Sequence, residues 1–448
     1  MLDVNTLFLI LYLFIYLFIY TKYSSLVVIF FYLFYGYLSM IVSVYYLDTG
    51  DIFAFEVAQD SYKSNSVIVL GTFYLTTLIM YLFLFKKKFT KKLYQNYKLN
   101  KFKNRFYLTS NFIKGFLLFA FLYILLIYIH LIYSGIPIFL GYGKGQFWEY
   151  AKLPIFNILH NQTSTILLIL GFMYSYINNY KKKEKKYIQL SIYFKIILYI
   201  YLIYIVLMGY KFGGPLLYIF SFYLTSLIYY SIHNRFTVPQ LIKYFTIFAS
   251  LIIPIIIYVY YFILNFGDGA WQLLFDRIFA LQGQVWHYIY NEIDNGVLTA
   301  NFNHLNIEIE NALFSNHHEQ SGINYLMQYI LPENRLKSYL DGGVRLSGGY
   351  PANLFMIFDN IFVLYIIHLF FSYIIFIFHF NFFYHMLRLN LFKTILWFKL
   401  AFLSEGFLFM GDFNTLVSKR TLFYLSLLLL IKIIEQSSKY NKRRKIII

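Results

Sequence analysis

The chain contains no cysteine, little proline and few charged side chains. The absence of cysteine excludes disulfides and thiolate metal sites. Only 7 of the 448 residues are proline and 13% are charged, whereas 60% are hydrophobic and 23% are aromatic. This balance of apolar and charged residues lies outside the usual range of soluble domains. The composition therefore predicts an integral membrane protein.

Acidic residues are scarce as well, with 20 against 38 lysines and arginines, which gives a net charge of +18. The lysines form short clusters between apolar runs, where they indicate membrane orientation. We therefore expect no nucleic-acid partner. The N-terminus lacks a basic region and a small-residue cleavage site, so we expect the first apolar run to remain as an anchor.

Uncharged apolar runs recur along the chain, and several reach the roughly 20 residues that a helix needs to cross the hydrocarbon core. Segments of alternating polarity, typical of a membrane β-barrel, are missing. The predicted fold is all-α and polytopic, with about 11 transmembrane helices. The predicted spans lie near residues 5–21, 24–47, 66–85, 112–133, 158–180, 188–208, 215–231, 241–265, 352–378, 394–410 and 420–434.

Charge in the connecting loops predicts the orientation. Residues 86–105 contain nine basic residues and no acidic one, and residues 181–186 and 439–445 are similarly basic. Even numbers of predicted spans separate these three segments, so the positive-inside rule places all of them in the cytoplasm. The N-terminus is then periplasmic and the C-terminus cytoplasmic. We expect a multi-pass protein of a bacterial inner membrane.

The predicted organisation has three parts. Residues 1–265 hold transmembrane helices 1–8, residues 266–351 form a large periplasmic loop, and residues 352–448 hold helices 9–11 and a basic tail. The loop carries nine acidic and four basic residues, which agrees with an external position. A connection of this length is uncommon unless it has a function. Function is therefore expected in the loop.

Residues 271–290, "WQLLFDRIFALQGQVWHYIY", predict a helix with one polar face. At 100° per residue, Asp276, Arg277, Gln284 and His287 lie on the same side. Arg277 offers a planar fork of donors for phosphate oxygens. His287 or one of the carboxylates Asp276, Glu292 and Asp359 is expected to accept a proton from a sugar hydroxyl, and the side of the helix favours His287. An amphipathic helix whose polar face meets water remains an equal alternative.

The loop ends in "GGVRLSGGYPANL", residues 342–354. Glycines allow backbone N–H groups to turn toward a ligand, and Pro351 suits the first turn of a membrane helix. Arg345 adds a full positive charge, so the segment predicts an anion site. A tight turn against lipid headgroups is the alternative. Asp359 is expected about two turns inside this membrane helix.

A third candidate is the hairpin "LMGYKFGGPLL", residues 207–217, where Lys211 is placed for an anion or simply solvated. His304, His317, His318 and Glu319 match no compact metal-ligand spacing, so we expect no metal site. The expected catalytic residues are Asp276, Arg277, His287 and Arg345, and the expected substrate-binding residues are Lys211, Gln284, Gly348, Gly349, Tyr350 and Asn353.

Three motifs resemble one family. The motif "GYKFGG" follows a central span, "RIFALQGQVWH" opens the large loop and "SGGYPAN" closes it. With ten to twelve helices, this arrangement resembles the Wzy-type O-antigen polymerases of Gram-negative bacteria. The resemblance implies transfer of a growing glycan from undecaprenyl pyrophosphate to a new lipid-linked repeat unit, with loop arginines such as Arg277 and Arg345 contacting pyrophosphate. It also implies no metal or nucleotide cofactor, and a chain-length regulator and a flippase as possible pathway partners.

Two alternatives stay open. A polyprenyl-phosphate-dependent glycosyltransferase would place metal-binding or basic carboxylates in its first external loop, where this chain has Asp48 and Asp51. A flippase for lipid-linked oligosaccharides would line a central cavity with charges across many helices. Since the ionisable residues concentrate outside the predicted spans, the sequence favours an enzyme.

Overall fold

A computed structural model describes the protein at residues 3–54, 56–99, 109–140, 147–148, 151–153, 155–178, 185–208, 213–233, 240, 275, 279–314, 318–341, 346, 348–388 and 390–447. Helices dominate these residues, as the composition predicts. An all-α architecture follows, because a chain in hydrocarbon satisfies its backbone hydrogen bonds within each helix.

The helices fall into three groups along the chain. The first precedes residue 100 and comprises α1 (Val4–Lys22), α2 (Ser24–Ile29), α3 (Phe31–Asp48) and α4 (Ser66–Leu99). The second comprises α5 (Ser110–Ser134), α6 (Pro137–Leu140), α7 (Ile155–Asn161), α8 (Thr163–Tyr176), α9 (Lys185–Leu207) and α10 (Gly213–His233). The third comprises α11 (Gln284–Asp294), α12 (His304–Phe314), α13 (Gly322–Ile330), α14 (Glu333–Asp341), α15 (Ala352–Phe355), α16 (Ile361–Leu387), α17 (Leu391–Met410), α18 (Phe413–Leu416) and α19 (Lys419–Ile447).

Six helical segments among the described residues are long and apolar enough to cross a membrane. A multi-pass membrane protein is therefore supported, while the predicted number of spans stays a prediction. The predicted span 241–265 lies outside the described residues. The six segments are Val4–Lys22, Ser66–Lys86, Ser110–Ser134, Ile155–Tyr176, Tyr187–Leu207 and Ile361–Leu387.

A short β-hairpin occupies the connection between α3 and α4. Strand β1 (Phe53–Ala54) pairs antiparallel with β2 (Gln59–Asp60), and Phe53 lies opposite Asp60. Asp51 and Ala58 adopt positive φ values of 60° and 58°, a region that residues other than glycine adopt less readily. The hairpin turns the chain back toward the start of α4.

The chain divides into two compact units. Met1–Lys98, Arg235–Tyr384 and Leu396–Ile448 form the first, and Leu99–Asn234 with His385–Ile395 form the second. In the first unit α3 and α4 are in contact where the rings of Tyr37 and Tyr74 stack with centroids 3.7 Å apart. The second unit contains α5 to α10. The first unit contains most of the candidate site residues.

Two local predictions are wrong. The chain does not continue as one helix from residue 352, because α15 ends at Phe355 and α16 begins at Ile361. The side chain of Asn360 accepts hydrogen bonds from the N–H groups of Phe362 (2.9 Å) and Val363 (3.4 Å), which starts α16 there. Asp359 is consequently exposed and lies outside the membrane helix.

The predicted helix over 271–290 is interrupted rather than continuous. Residues 280–283 form a turn, and α11 starts at Gln284 with Gly283 as its N-cap. A Cβ at position 283 would lie 2.7 Å from the backbone nitrogen of Val44, so only glycine allows this turn to pack against α3. Ser43 reinforces the contact, donating to the carbonyl of Ala280 (2.8 Å) and accepting from Gly283 N–H (2.7 Å).

Candidate functional site

Asp48, the last residue of α3, binds four donors from two separate parts of the chain. Its Oδ1 accepts hydrogen bonds from Ser64 Oγ (2.6 Å), Ser66 Oγ (2.7 Å) and His287 Nδ1 (2.8 Å). Its Oδ2 accepts from the backbone N–H of Val67 (2.8 Å) and so satisfies one of the free N–H groups at the start of α4. A carboxylate is favourable there because the helix dipole is positive at this end.

His287 extends from α11 to this carboxylate. The side chains of His287 and Asp48 are both fully buried. Because a carboxylate accepts at Nδ1, the neutral imidazole carries its hydrogen on Nδ1 and leaves Nε2 as the proton acceptor. The nearest described donor to Nε2 is the N–H of Tyr62 at 3.5 Å, a long contact. We call these two residues and their serine partners the Asp48–His287 node.

Tyr62 covers the imidazole. The two rings stack with centroids 4.3 Å apart, and the Tyr62 hydroxyl donates to the backbone carbonyl of His287. Burial raises the pKa of Tyr62, and the Asp48 carboxylate raises that pKa further, so the hydroxyl remains a donor. The node is thus closed in this conformation, and residues 49–65 form its cover.

Neighbours of His287 attach α11 to the same connection. Trp286 Nε1 donates to the carbonyl of Ser66 (3.0 Å), and the Tyr288 hydroxyl donates to the carbonyl of Gln59 (2.9 Å). Gln284, expected to bind substrate, is 1% exposed and its amide nitrogen has no hydrogen-bond partner in the described part of the chain. The described part of the face predicted to be polar, Gln284 and His287, therefore packs inward against α3 and the hairpin connection.

The described part of the glycine motif, residues 348–354, is almost entirely buried. The N–H of Gly348, whose φ is 91°, donates to the carbonyl of Phe409 (3.1 Å) and so is not free for an anion. A Cβ at Gly349 would lie 2.4 Å from the carbonyl oxygen of Met410. The glycines therefore permit close backbone packing against the end of α17. The single-turn α15 that follows is too short to develop the expected dipole.

Tyr350 and Asn353 are also enclosed, each with 0% exposure. The Tyr350 hydroxyl lies 2.5 Å from His368 Nδ1, and Asn353 Nδ2 donates to the carbonyl of Gly411 (2.6 Å). The Asn353 Oδ1 atom is buried without a described partner. These residues connect the loop to α16 and α17 in this conformation.

A second buried polar group lies between α12, α13 and α18. Glu308 accepts from the N–H of Gly322 (2.5 Å), and Asp412 accepts from the N–H of Ile323 (3.1 Å), so two carboxylates occupy the N-terminus of α13. His304 Nε2 lies 3.4 Å from Glu308 Oε1. This arrangement, which sequence reasoning missed, fixes the fold of the loop.

Four predicted site residues, Lys211, Asp276, Arg277 and Arg345, lie outside the described residues. Of the predicted set, the structure brings Gln284 and His287 together on α11, and Gly348, Gly349, Tyr350 and Asn353 together at the end of the loop. Among the described residues no three histidine or acidic side chains form a group suited to a metal ion.

Pairing of Asp48 with His287 was not predictable from spacing, because the two residues are 239 positions apart. One signal was present: Asp48 is an acidic residue at the end of an apolar run, followed by serines before the next run. Asp and Ser are preferred near helix starts. That signal predicts a helix cap, but it does not identify a histidine partner.

A family of unknown function, DUF6418, matches residues 316–425 of the chain. This match spans α13 to α18 and includes the glycine motif, whereas Asp48 and His287 lie outside it. The matched segment is less than half of the chain. No curated protein and no solved structure matches the sequence.

Proposed function

We propose that this protein is a membrane glycosyltransferase that polymerises undecaprenyl-pyrophosphate-linked oligosaccharide repeat units at the periplasmic face. The multi-pass helical architecture suits substrates that carry a polyprenyl anchor. The motifs in the large loop resemble those of Wzy-type polymerases. In this proposal the large loop catalyses the glycosyl transfer, and the membrane helices bind the polyprenyl chain of the substrate.

The observation that supports an enzyme most directly is the contact between Asp48 and His287 Nδ1. A carboxylate on one imidazole nitrogen orients the ring and leaves the other nitrogen available as a general base, the arrangement used in catalytic triads. In the proposed reaction His287 Nε2 accepts the proton of the acceptor sugar hydroxyl. Tyr62 must first move away, so residues 49–65 would open for substrate.

The acceptor oxygen then forms a bond to the anomeric carbon of the growing glycan, and the bond from that carbon to the pyrophosphate oxygen breaks. Arg277 and Arg345 would stabilise the negative charge that develops on the departing pyrophosphate. No metal is required for this charge balance. The released product is undecaprenyl pyrophosphate.

The metal-dependent alternative receives less support from the geometry. It needs a carboxylate available to a divalent ion, but the oxygens of Asp48 already accept four hydrogen bonds. Asp51 is exposed, and it is not joined to Asp48 by a described hydrogen bond. Full activity in excess chelator would contradict the metal-dependent glycosyltransferase, whereas loss of activity would contradict the metal-independent polymerase.

The gene deletion tests the proposed reaction. In a strain lacking the gene, we expect lipid A that carries one repeat unit, and long-chain polysaccharide restored by the wild-type gene on a plasmid. Polysaccharide absent altogether would contradict a polymerase and point to a flippase or an assembly enzyme. A full ladder in the deletion strain would exclude any role in polymerisation.

Substitutions in the deletion strain test the residues. His287→Asn keeps an amide N–H for Asp48 but removes the base, so turnover should fall by about 10²- to 10⁴-fold. Arg277→Ala and Arg345→Ala should each lower turnover about tenfold or more, since contacts to charged groups contribute roughly 1.5–3 kcal/mol. Lys337→Ala removes an exposed cation from the same loop and serves as the control. A normal ladder from a well-expressed variant would remove that residue from the mechanism.

A further inference from the structure

Two titratable side chains meet where α16, one of the candidate membrane spans, packs against α17. His379 of α16 and Glu405 of α17 are 3% and 7% exposed, and His379 Nε2 lies 2.7 Å from Glu405 Oε1. Ionisable residues in membrane helices are rare and usually belong to a functional path, because hydrocarbon solvates charge poorly. The proposed glycosyl transfer uses neither residue, so that reaction does not explain why the buried pair is present.

The hydrogen-bond partners determine how many protons the pair holds. His379 Nδ1 lies 2.9 Å from the carbonyl oxygen of Ile375, and because a carbonyl only accepts, Nδ1 carries a hydrogen. A bare Nε2 facing an ionised carboxylate would place two acceptors in contact. A further proton must therefore lie between Nε2 and Glu405 Oε1. The pair is then an imidazolium with a carboxylate, or an imidazole with a carboxylic acid, and is neutral in both forms.

The described groups around the pair supply no positive charge that would compensate for loss of that proton. Phe30, between α2 and α3, stacks on the His379 ring with centroids 4.6 Å apart. From α4, the Tyr81 ring lies against Phe30 with centroids 4.6 Å apart, and its hydroxyl donates to the Ser372 carbonyl (2.9 Å). Lys399 of α17 lies about 240° around that helix from Glu405 and so projects elsewhere. Loss of the proton would leave a net negative charge in a buried, largely aromatic setting.

A polar stripe on α16 leads from the loop toward this pair. His368, Ser372 and His379 are spaced by four and seven residues and so share one helix face. The Tyr350 hydroxyl lies 2.5 Å from His368 Nδ1, and His368 Nε2 lies 2.7 Å from Thr77 Oγ1. Thr77 Oγ1 in turn lies 3.1 Å from Ser372 Oγ.

These contacts join into one sequence of donors and acceptors. It starts at Tyr350 at the end of the large loop and passes His368 and Thr77 to the Ser372 hydroxyl, while Tyr81 donates to the backbone carbonyl of Ser372. The distance along α16 from His368 to His379 is about 16 Å, a substantial part of the hydrocarbon thickness. Hydroxyl and imidazole groups are the side chains that pass protons in such paths.

We propose that His379 and Glu405 form a proton-binding site inside the membrane, loaded and unloaded through the polar stripe that runs from Tyr350 to Ser372. On unloading, one N–H or O–H bond of the pair breaks and the proton leaves along the stripe. The pair becomes a neutral imidazole beside a carboxylate with one negative charge. On loading, the reverse transfer restores the neutral pair. The ligand of this site is a single proton.

Infrared difference spectroscopy of the full-length protein in lipid nanodiscs tests the site. Between acidic and alkaline buffer we expect a one-proton change in the carboxyl and imidazole bands. Isotope labelling separates glutamate from aspartate carboxyl bands, and the difference between the wild-type protein and Glu405→Gln isolates Glu405 from the other glutamates. Glu405→Gln, which keeps the side-chain size and an acceptor oxygen, and His379→Gln should each remove the change. Asp359→Asn, which alters the exposed carboxylate before α16, should leave the change intact.

Wild-type spectra that change with pH in the same way as those of both Glu405→Gln and His379→Gln would overturn the proposal, because the proton of the pair would then be permanently bound. Thr77→Val tests the stripe: it should slow hydrogen–deuterium exchange at the pair while preserving the midpoint of the pH titration. An unchanged exchange rate would exclude Thr77 from the path. Since these readouts need no glycan, they are independent of the proposed polymerase reaction.

Discussion

At the scale of single residues, Asp48 shows how one buried carboxylate organises distant parts of a chain. Its two oxygens join the end of α3, the start of α4 and the histidine of α11. Buried charges are tolerated only when hydrogen bonds replace the lost water, and Asp48 has four. The same contacts that stabilise the fold also orient His287.

Asp48→Asn tests this residue. The amide keeps one acceptor oxygen but turns an NH₂ group toward donors, so we expect a loss of roughly 1.5–3 kcal/mol in the free energy of unfolding. Thermal unfolding of the purified protein in detergent measures the change. Asp51→Asn is the matched control: Asp51 is exposed with φ of 60°, which asparagine tolerates, and its effect should stay within about 0.5 kcal/mol. Equal stability of both variants would contradict the role of Asp48.

At the scale of helices, packing in the second unit depends on one glycine. A Cβ at Gly171 in α8 would lie 1.8 Å from the carbonyl oxygen of Phe222 in α10, so the two backbones are in direct contact. Small residues allow such approach between membrane helices, where dispersion contacts replace the hydrophobic effect. Gly171 thus stabilises the contact between α8 and α10 because it has no side chain to separate the backbones.

Gly171→Ala should push α8 and α10 apart and lower the free energy of unfolding by about 1–3 kcal/mol, the usual effect of overpacking. Gly115→Ala in α5 is the matched control, because a Cβ there has nothing within 4 Å. That substitution should stabilise its helix by about 0.5–1 kcal/mol. Thermal unfolding of the two variants, compared in one detergent, measures the difference. Destabilisation by Gly115→Ala alone would refute the packing argument.

At the scale of the whole molecule, orientation in the membrane remains a prediction from charge. The first connection, residues 48–60, has four acidic residues and no basic one, whereas residues 181–186 are mostly lysine. The positive-inside rule therefore assigns them to opposite sides. The proposed reaction depends on this assignment, since lipid-linked repeat units would have to reach the face that carries the large loop.

The absence of cysteine makes the orientation directly measurable. In intact spheroplasts, a maleimide that cannot cross the membrane should label Asp51→Cys at once. Lys182→Cys should be labelled only after the membrane is permeabilised. The unmodified chain provides the background control. The opposite pattern would invert the topology and place the large loop in the cytoplasm.

Predictability of the candidate site differs between its residues. His287 was chosen from helix periodicity alone, although a turn at 280–283 interrupts the helix that the pattern indicated. Asp48 was considered with Asp51 as a metal-binding or basic carboxylate of an alternative glycosyltransferase, not as a partner of His287. Asp359 was misplaced, because periodicity does not reveal that the Asn360 side chain starts α16 two residues later. A capping side chain can shift the start of a helix by one or two residues. Hydropathy is averaged over a whole span and does not locate such a shift.

The sequence by itself determined that this is a helical membrane chain, because hydropathy acts on each segment locally and a run of about 20 apolar residues needs no distant partner. Only the tertiary structure decided which polar groups meet. Asp48 with His287 and His379 with Glu405 are separated by 239 and 26 positions, and neither spacing marks a contact. A buried polar atom forms a hydrogen bond with the partner that helix packing brings within reach, and this packing depends on the tertiary structure rather than on sequence spacing.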